Sequence, residues 1–141
     1  INTLKNRTKN KNFIIIGSEL TQFNKLIKNM NTNEKKRLHT KWPGAHTWLV
    51  EANKKTPKWL TSSNKIALRI PSFIHCIRIT QAINQPVIST SLNKSGKKPI
   101  KSYRDACRLF NGKVKIINGQ IGKNRKPSSI HDFSTGKIYR N

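Results

Sequence analysis

The apolar residues of this chain fall into runs too short for a buried helix, separated by polar segments that carry helix caps. That alternation restricts the fold more than any other feature. Phe13-Ile14-Ile15-Ile16 stops at Gly17, Ile66-Ala67-Leu68-Arg69-Ile70 stops at Pro71, and Pro86-Val87-Ile88 opens a run over 86–91. Short β-branched runs bounded by Gly or Pro read as strands, as does 46–52, where Trp48 and Val50 alternate with Thr47 and Leu49. Between them the period lengthens. Ser18 caps an expected helix with Leu20, Phe23, Leu26, Ile27 and Met30 on one face, and Thr32 or Asn33 caps a second that Pro43-Gly44 stops. Pro71-Ser72 opens a helix with Phe73, Cys76, Ile77, Thr80 and Ile83 on one side. Ser102-x-x-Asp105 starts another that closes at Asn111-Gly112. Residues 53–64 read as loop, 113–118 as a strand, and 129–133 and 137–140 as short extended pieces. Strands alternating with helices predict an α/β layered domain.

At 141 residues the chain suits a single domain, 1–141, able to bury about 70% of its unfolded surface. No apolar run nears the roughly 18 residues of a membrane span, and the basic start lacks a signal peptide's apolar stretch. The reading is soluble and cytoplasmic, with no membrane partner. Cys76 and Cys107 show no C-x-x-C spacing and read as free thiols.

The formal net charge of +24 invites a nucleic-acid reading. Composition tempers it: 21 Lys, 16 Asn and 18 Ile stand against 8 Arg, a bias that A- and T-rich codons produce by themselves. Phosphate readers favour the bidentate fork of Arg. The histidines His39, His46, His75 and His131 lack metal-ligand spacing, and the acids are only Glu19, Glu34, Glu51, Asp105 and Asp132. A dedicated protein metal site and a paired-carboxylate hydrolase are therefore not expected. Neither a P-loop nor a G-x-G-x-x-G fingerprint occurs. Any chemistry must come from positioning and positive charge.

Five segments in order carry a resemblance: L-K-N-R at 4–7, W-P-G-A-H-T at 42–47, I-A-L-R-I-P at 66–71, P-V-I-S-T-S-L-N-K-S-G at 86–96 and K-P-S-S-I-H-D at 126–132. Together they are similar to the YrdC/TsaC family of threonylcarbamoyl-AMP synthases, whose pattern runs K-x-R, P-G-x-x-T, V-R-x-P, S-x-S-A-N-x-S-G. Leu92 stands where that pattern has alanine. The resemblance implies a twisted mixed sheet flanked by helices around an open, concave, basic cavity. It implies a nucleotidyltransferase that joins ATP, L-threonine and bicarbonate into threonylcarbamoyl-adenylate and pyrophosphate, with magnesium accompanying ATP. The product serves threonylcarbamoyladenosine formation in tRNA, through downstream transfer proteins.

By the same resemblance Lys5, Arg7, Ser91 and Asn93 form the constellation around the nucleotide, and Lys11, Thr47, Arg69, Ser89 and Ser128 contact substrate or nucleotide. If 5–7 is extended, Lys5 and Arg7 point to one side and could both grip a triphosphate. The family also carries an earlier segment, P-T-E-[TA]-x-[YF]-G on a first strand with a helix after it. The expectation is therefore a chain that lacks this segment. The alternative reading is a non-catalytic basic module that binds tRNA or other RNA.

Overall fold

The structure is a computed structural model that describes residues 1–7, 13–119, 122 and 126–141. The chain divides into two compact units. The larger comprises Asn12–Ser89 and Asn124–Asn141, the smaller Ile1–Lys11 and Thr90–Lys123.

The larger unit is a six-stranded mixed sheet with helices. Its strands are β1 (Ile14–Ile16), β2 (His46–Glu51), β3 (Lys65–Arg69), β4 (Val87–Ser89), β5 (Ser129–Asp132) and β6 (Ile138–Arg140), in the order β4-β1-β3-β2-β5-β6. β1 runs parallel to β3, with Ile16 opposite Arg69, and β2 runs parallel to β5, with His46 opposite Ser129; the other pairings are antiparallel. These directions bring the last residues of β1, β3 and β6 to one sheet end together with the first residues of β2, β4 and β5. The central strands are buried on both faces: Ile66, Leu68 and Val50 share one face with no exposed surface, and Ala67 is buried on the other. Phe23, Leu38, Trp42, Trp48 and Phe133 complete the core. Trp42 and Trp48 are buried, whereas Trp59 is 61% exposed.

The expected helix after Ser18 is replaced by a 3-10 turn at Leu20–Phe23 and a bridge between Ile27 and Ala52. The apolar spacing was right about burial, for Phe23 and Ile27 are both inside. The backbone groups went elsewhere: Lys28 N–H donates to Glu51 O at 3.1 Å and Asn53 N–H to Leu26 O at 2.9 Å. These bonds to the end of β2 replace the i to i−4 ladder of a helix. Next comes α2 (Thr32–His39), capped one residue earlier than expected, by Asn31, in a full capping box with Glu34. α3 (Ile74–Ala82) precedes β4.

The smaller unit contains the short helix α1 (Asn2–Lys5) and α4 (Tyr103–Phe110), whose Ser102 side chain accepts from Asp105 N–H as expected. Ala106 and Phe110 are its buried apolar side chains among the described residues. The strand expected at 113–118 does not form. Lys113 and Lys115 are exposed and Val114 and Ile116 half-buried, but Ile117 is 76% exposed and ends the alternation, and among the described residues no strand pairs with this segment.

Candidate functional site

In the smaller unit Lys5 is the organising group. It is 7% exposed, and its ammonium donates to the carbonyl of Ser91, to Asn93 O at 2.8 Å and to Asn93 Oδ1 at 2.8 Å. An ammonium has three donors, and this loop takes all of them. Asn93 is held further: Ser91 Oγ donates to its Oδ1 at 2.6 Å, and its Nδ2 donates to Lys97 O at 2.5 Å. The backbone adds a tie, Ser95 N–H to Lys5 O at 2.7 Å. Lys5, Ser91 and Asn93, more than 80 positions apart in sequence, thus form one hydrogen-bonded cluster.

The extended geometry expected at 5–7 is absent. Lys5 ends the short helix and Asn6 turns left-handed at φ 48°, so strand alternation does not describe how Lys5 and Arg7 are arranged. Arg7 N–H instead returns to Asn2 O at 3.0 Å. Burial lowers the pKa of both cations, and for Lys5 the neighbouring charge of Arg7 lowers it further. Beside this cluster lies a cavity of about 110 Å³ lined chiefly by Ile1, Leu4, Leu92, Phe110 and Val114, with Lys5, Ser91 and Asn93 at its wall. Lys11 lies outside the described residues.

In the larger unit a second cluster occupies the sheet end where β3 finishes and β2 begins. Thr47 and Ser128, both buried, share a hydroxyl hydrogen bond of 2.8 Å. Arg140, at the last position of β6, donates from Nε to Ser128 O at 2.8 Å and from Nη2 to Ser128 Oγ at 3.2 Å. Arg69 donates from Nε to Gly44 O at 2.8 Å. Gly44 is required there, since a Cβ would sit 2.6 Å from Lys41 O. Burial lowers the Arg69 pKa, against Cys76 and with the charge of Arg140, and burial likewise lowers that of Arg140. Two guanidinium groups at this sheet end, with hydroxyls beside them, suit an anion. Asp132, the acid on β5, is engaged elsewhere: Lys65 Nζ lies 2.5 Å from its Oδ2. Ser89 is not part of this cluster; it ends β4 opposite Ile14, toward the other end of the sheet.

Arg140 was missed by the sequence reading. The available signal was its type, an arginine in a chain where lysine is the common cation. His46 was missed as well. It is 7% exposed, shares a 3.0 Å hydrogen bond with Ser129 Oγ and packs on the His131 ring at 4.3 Å between centroids. Burial, with His131 and Lys41 nearby, holds its pKa down to about 4.

The chain carries a mixed α/β sheet with Arg69 and Arg140 at one end and a polar loop clamped by Lys5, and comparison with known proteins shows the family to which such a chain belongs. The chain belongs to the Sua5/YciO/YrdC family: the family model, described as "Telomere recombination", matches residues 1–141. It is 36% identical over 138 residues to the threonylcarbamoyl-AMP synthase of Methylobacillus flagellatus, covering 97% of this chain and 77% of that protein. P. abyssi Sua5 complexed with L-threonine shares the fold with a TM-score of 0.82 at 23% identity, over 93% of this chain and 39% of that one. E. coli YciO matches with a TM-score of 0.82 at 20% identity, over all of this chain and 70% of that one. The chain thus spans less than half of the Sua5 chain that it matches.

Proposed function

We propose that the protein is a threonylcarbamoyl-AMP synthase, a transferase that takes ATP as substrate. The observation that carries the reading is the 36% identity, over 97% of the chain, to a relative of that name. It favours a synthase over a non-catalytic RNA-binding module. The proposed reaction runs in two steps. The threonine amine adds to carbon dioxide drawn from bicarbonate, giving a carbamate. A carbamate oxygen then attacks the α-phosphorus of ATP, the bond to the bridging oxygen breaks, and pyrophosphate leaves with the electron pair. The product is a mixed anhydride, reactive enough to serve a downstream transfer to tRNA.

Such a displacement needs charge neutralised on the transferring and leaving phosphates. We assign that work to Arg7, with Lys5 as the group that holds the Ser91–Asn93 loop in shape. The geometry supports this division, because the Lys5 ammonium is saturated by loop acceptors. Ser91 and Asn93 are assigned to the nucleotide. Arg69 and Arg140, with Thr47 and Ser128, are assigned to anionic groups of threonine or nucleotide, a role that two arginines and two hydroxyls at one sheet end support. Lys11 and Ser89 remain assigned to the nucleotide by the family pattern alone. Among the described residues no group of three or more His, Cys, Asp or Glu is arranged to hold a metal ion; magnesium is proposed to arrive on the phosphates, as part of the ATP substrate. Among the same residues no helix is long and apolar enough to cross a membrane.

The test is a substrate-omission assay of pyrophosphate release. The reading requires that release from ATP depend on both threonine and bicarbonate. Release that ignores threonine contradicts it.

A further inference from the structure

Both arginines of the sheet-end cluster are seated on backbone carbonyls that lie just before two strands. Arg69 Nε donates to Gly44 O, ahead of β2, and Arg140 Nε donates to Ser128 O, ahead of β5. The separation of the two seats is therefore set by whatever fastens the start of β2 to the start of β5. Among the described residues three hydrogen bonds do so. Ser129 N–H donates to Ala45 O at 3.1 Å, Thr47 and Ser128 share their hydroxyl bond of 2.8 Å, and His46 Nδ1 shares one of 3.0 Å with Ser129 Oγ. His46 stands opposite Ser129 in the register, and successive side chains of a strand point to opposite faces of the sheet. The hydroxyl pair and the His46 bond thus clamp the two strand starts from opposite faces.

A histidine in this place carries a cost. It is 7% exposed, and its Nε2 is buried with no hydrogen-bond partner among the described residues. Leaving a buried polar atom unpaired destabilises a fold, and an apolar side chain packed on Trp48, whose ring centroid lies 4.2 Å from that of His46, would avoid the loss. What the imidazole adds is the bond at Nδ1. The backbone that carries the ring is itself fixed, since Trp42 Nε1–H donates to His46 O at 2.8 Å. With its pKa held down to about 4, the ring is neutral at pH 7 and makes the bond without adding a charge behind the two arginines.

We propose that His46 is a positioning residue: through Ser129 it fixes the separation of the Gly44 and Ser128 carbonyls, and so sets the spacing at which Arg69 and Arg140 meet one anionic group of a substrate. Its part in catalysis rests on the synthase reading; the spacing of the arginines does not.

The first test needs no substrate. In a nitrogen–proton correlation spectrum of the free protein, the Arg140 Nε–H resonance reports the bond to Ser128 O. Ser129→Ala, which removes the hydroxyl and leaves the imidazole in place, is expected to shift that resonance, as is His46→Leu. His46→Asn, which keeps a polar atom one bond beyond Cγ as Nδ1 is, holds it near its place in the unaltered protein. A resonance that ignores Ser129→Ala overturns the proposal, whatever reaction the protein performs. The second test follows pyrophosphate release. Arg140→Ala identifies the substrate held at this sheet end, threonine or ATP, as the one whose KM rises. Ser129→Ala and His46→Leu are expected to raise that same KM about three- to tenfold, the scale of one neutral hydrogen bond, with kcat and the other KM little changed, and His46→Asn to recover most of the loss. In the Arg140→Ala background Ser129→Ala adds less than about twofold, because no spacing between two arginines is left to set. Additive losses, or equal losses in both KM values, would mean a general loosening of the sheet and overturn the proposal. If Arg140→Ala changes neither KM, it is the assignment of this end to a substrate that fails, and the spectrum alone decides whether His46 sets the spacing.

Discussion

The two units are held together by different physics. The larger rests on burial: its sheet packs Phe23, Leu38, Val50, Ile66 and Leu68 to 0% exposure, and its arginines are aimed by bonds to backbone that the sheet has already fixed. The smaller has Ala106 and Phe110 as its buried apolar side chains among the described residues, and a buried ammonium gathers its loop. Where apolar area is scarce, charge-assisted bonds set the local geometry, each contributing about 1.5 to 3 kcal/mol. A candidate site residue in the larger unit is therefore positioned by the sheet, whereas Ser91 and Asn93 are positioned by the Lys5 ammonium together with hydrogen bonds inside their own loop.

The sharpest contrast is drawn by deleting core volume. Leu68→Ala in β3 is expected to cost about 2 to 5 kcal/mol, seen as a large drop in the denaturant midpoint with little change in slope. If the midpoint hardly moves, the sheet is not what stabilises the larger unit.

Acid is the next probe. His46, neutral when folded with its pKa held to about 4, takes up a proton near pH 6.5 only when unfolded. Stability is therefore complete above pH 6.5 and falls as the pH drops toward 4, by at most on the order of 3 kcal/mol. Burial raises the pKa of Asp132, but hydrogen bonds from Lys65, Thr135 and Ser134 outweigh it and leave it below the ordinary carboxylate value. Its contribution is lost in the same direction, at lower pH. Thermal melts of His46→Leu should show a flatter decline between pH 6.5 and 4; an unchanged decline would assign the acid sensitivity to other groups.

In the smaller unit, Lys5→Met leaves the carbonyls of Ser91 and Asn93 without their charged donor, at about 1 to 3 kcal/mol. The expected damage is local: hydrogen exchange should quicken at amides of 91–97 while the sheet amides of β2 and β3 keep their protection. A uniform rise across both units would contradict the division of labour described above.

How much of this was legible in the sequence differs between the same two regions. Strands β1, β2 and β3 followed from their apolar runs, because a central strand's character lies in its own residues; β4 followed from Pro86-Val87-Ile88, and β5 and β6 were expected as short extended pieces. The helix expected after Ser18 failed because the backbone of Leu26 and Lys28 found partners at the end of β2, which local periodicity does not reveal. The strand expected at 113–118 failed for the converse reason, a pattern with no partner strand. Among site groups, the convergence of Lys5 with Asn93 was expected only from the family pattern, and the bond between Thr47 and Ser128 was not foreseen, since neither spacing nor composition joins residues 81 and 88 positions apart. Arg140 escaped notice because its residue type was the one signal it carried. Its place beside Ser128 emerges from the register that sets β6 beside β5.

The central claim is that specific cations, not bulk charge, act on ATP, and a paired comparison of pyrophosphate release tests it most directly. With ATP, threonine and bicarbonate present, Arg7→Ala should lower the rate on the order of ten- to a hundredfold, the loss of one charge-assisted contact made in the transition state. Lys54→Ala, which removes an exposed lysine in a loop of the larger unit, should leave the rate within about twofold, as surface substitutions generally do. Equal losses in the two variants, or release that persists without threonine, would contradict the account.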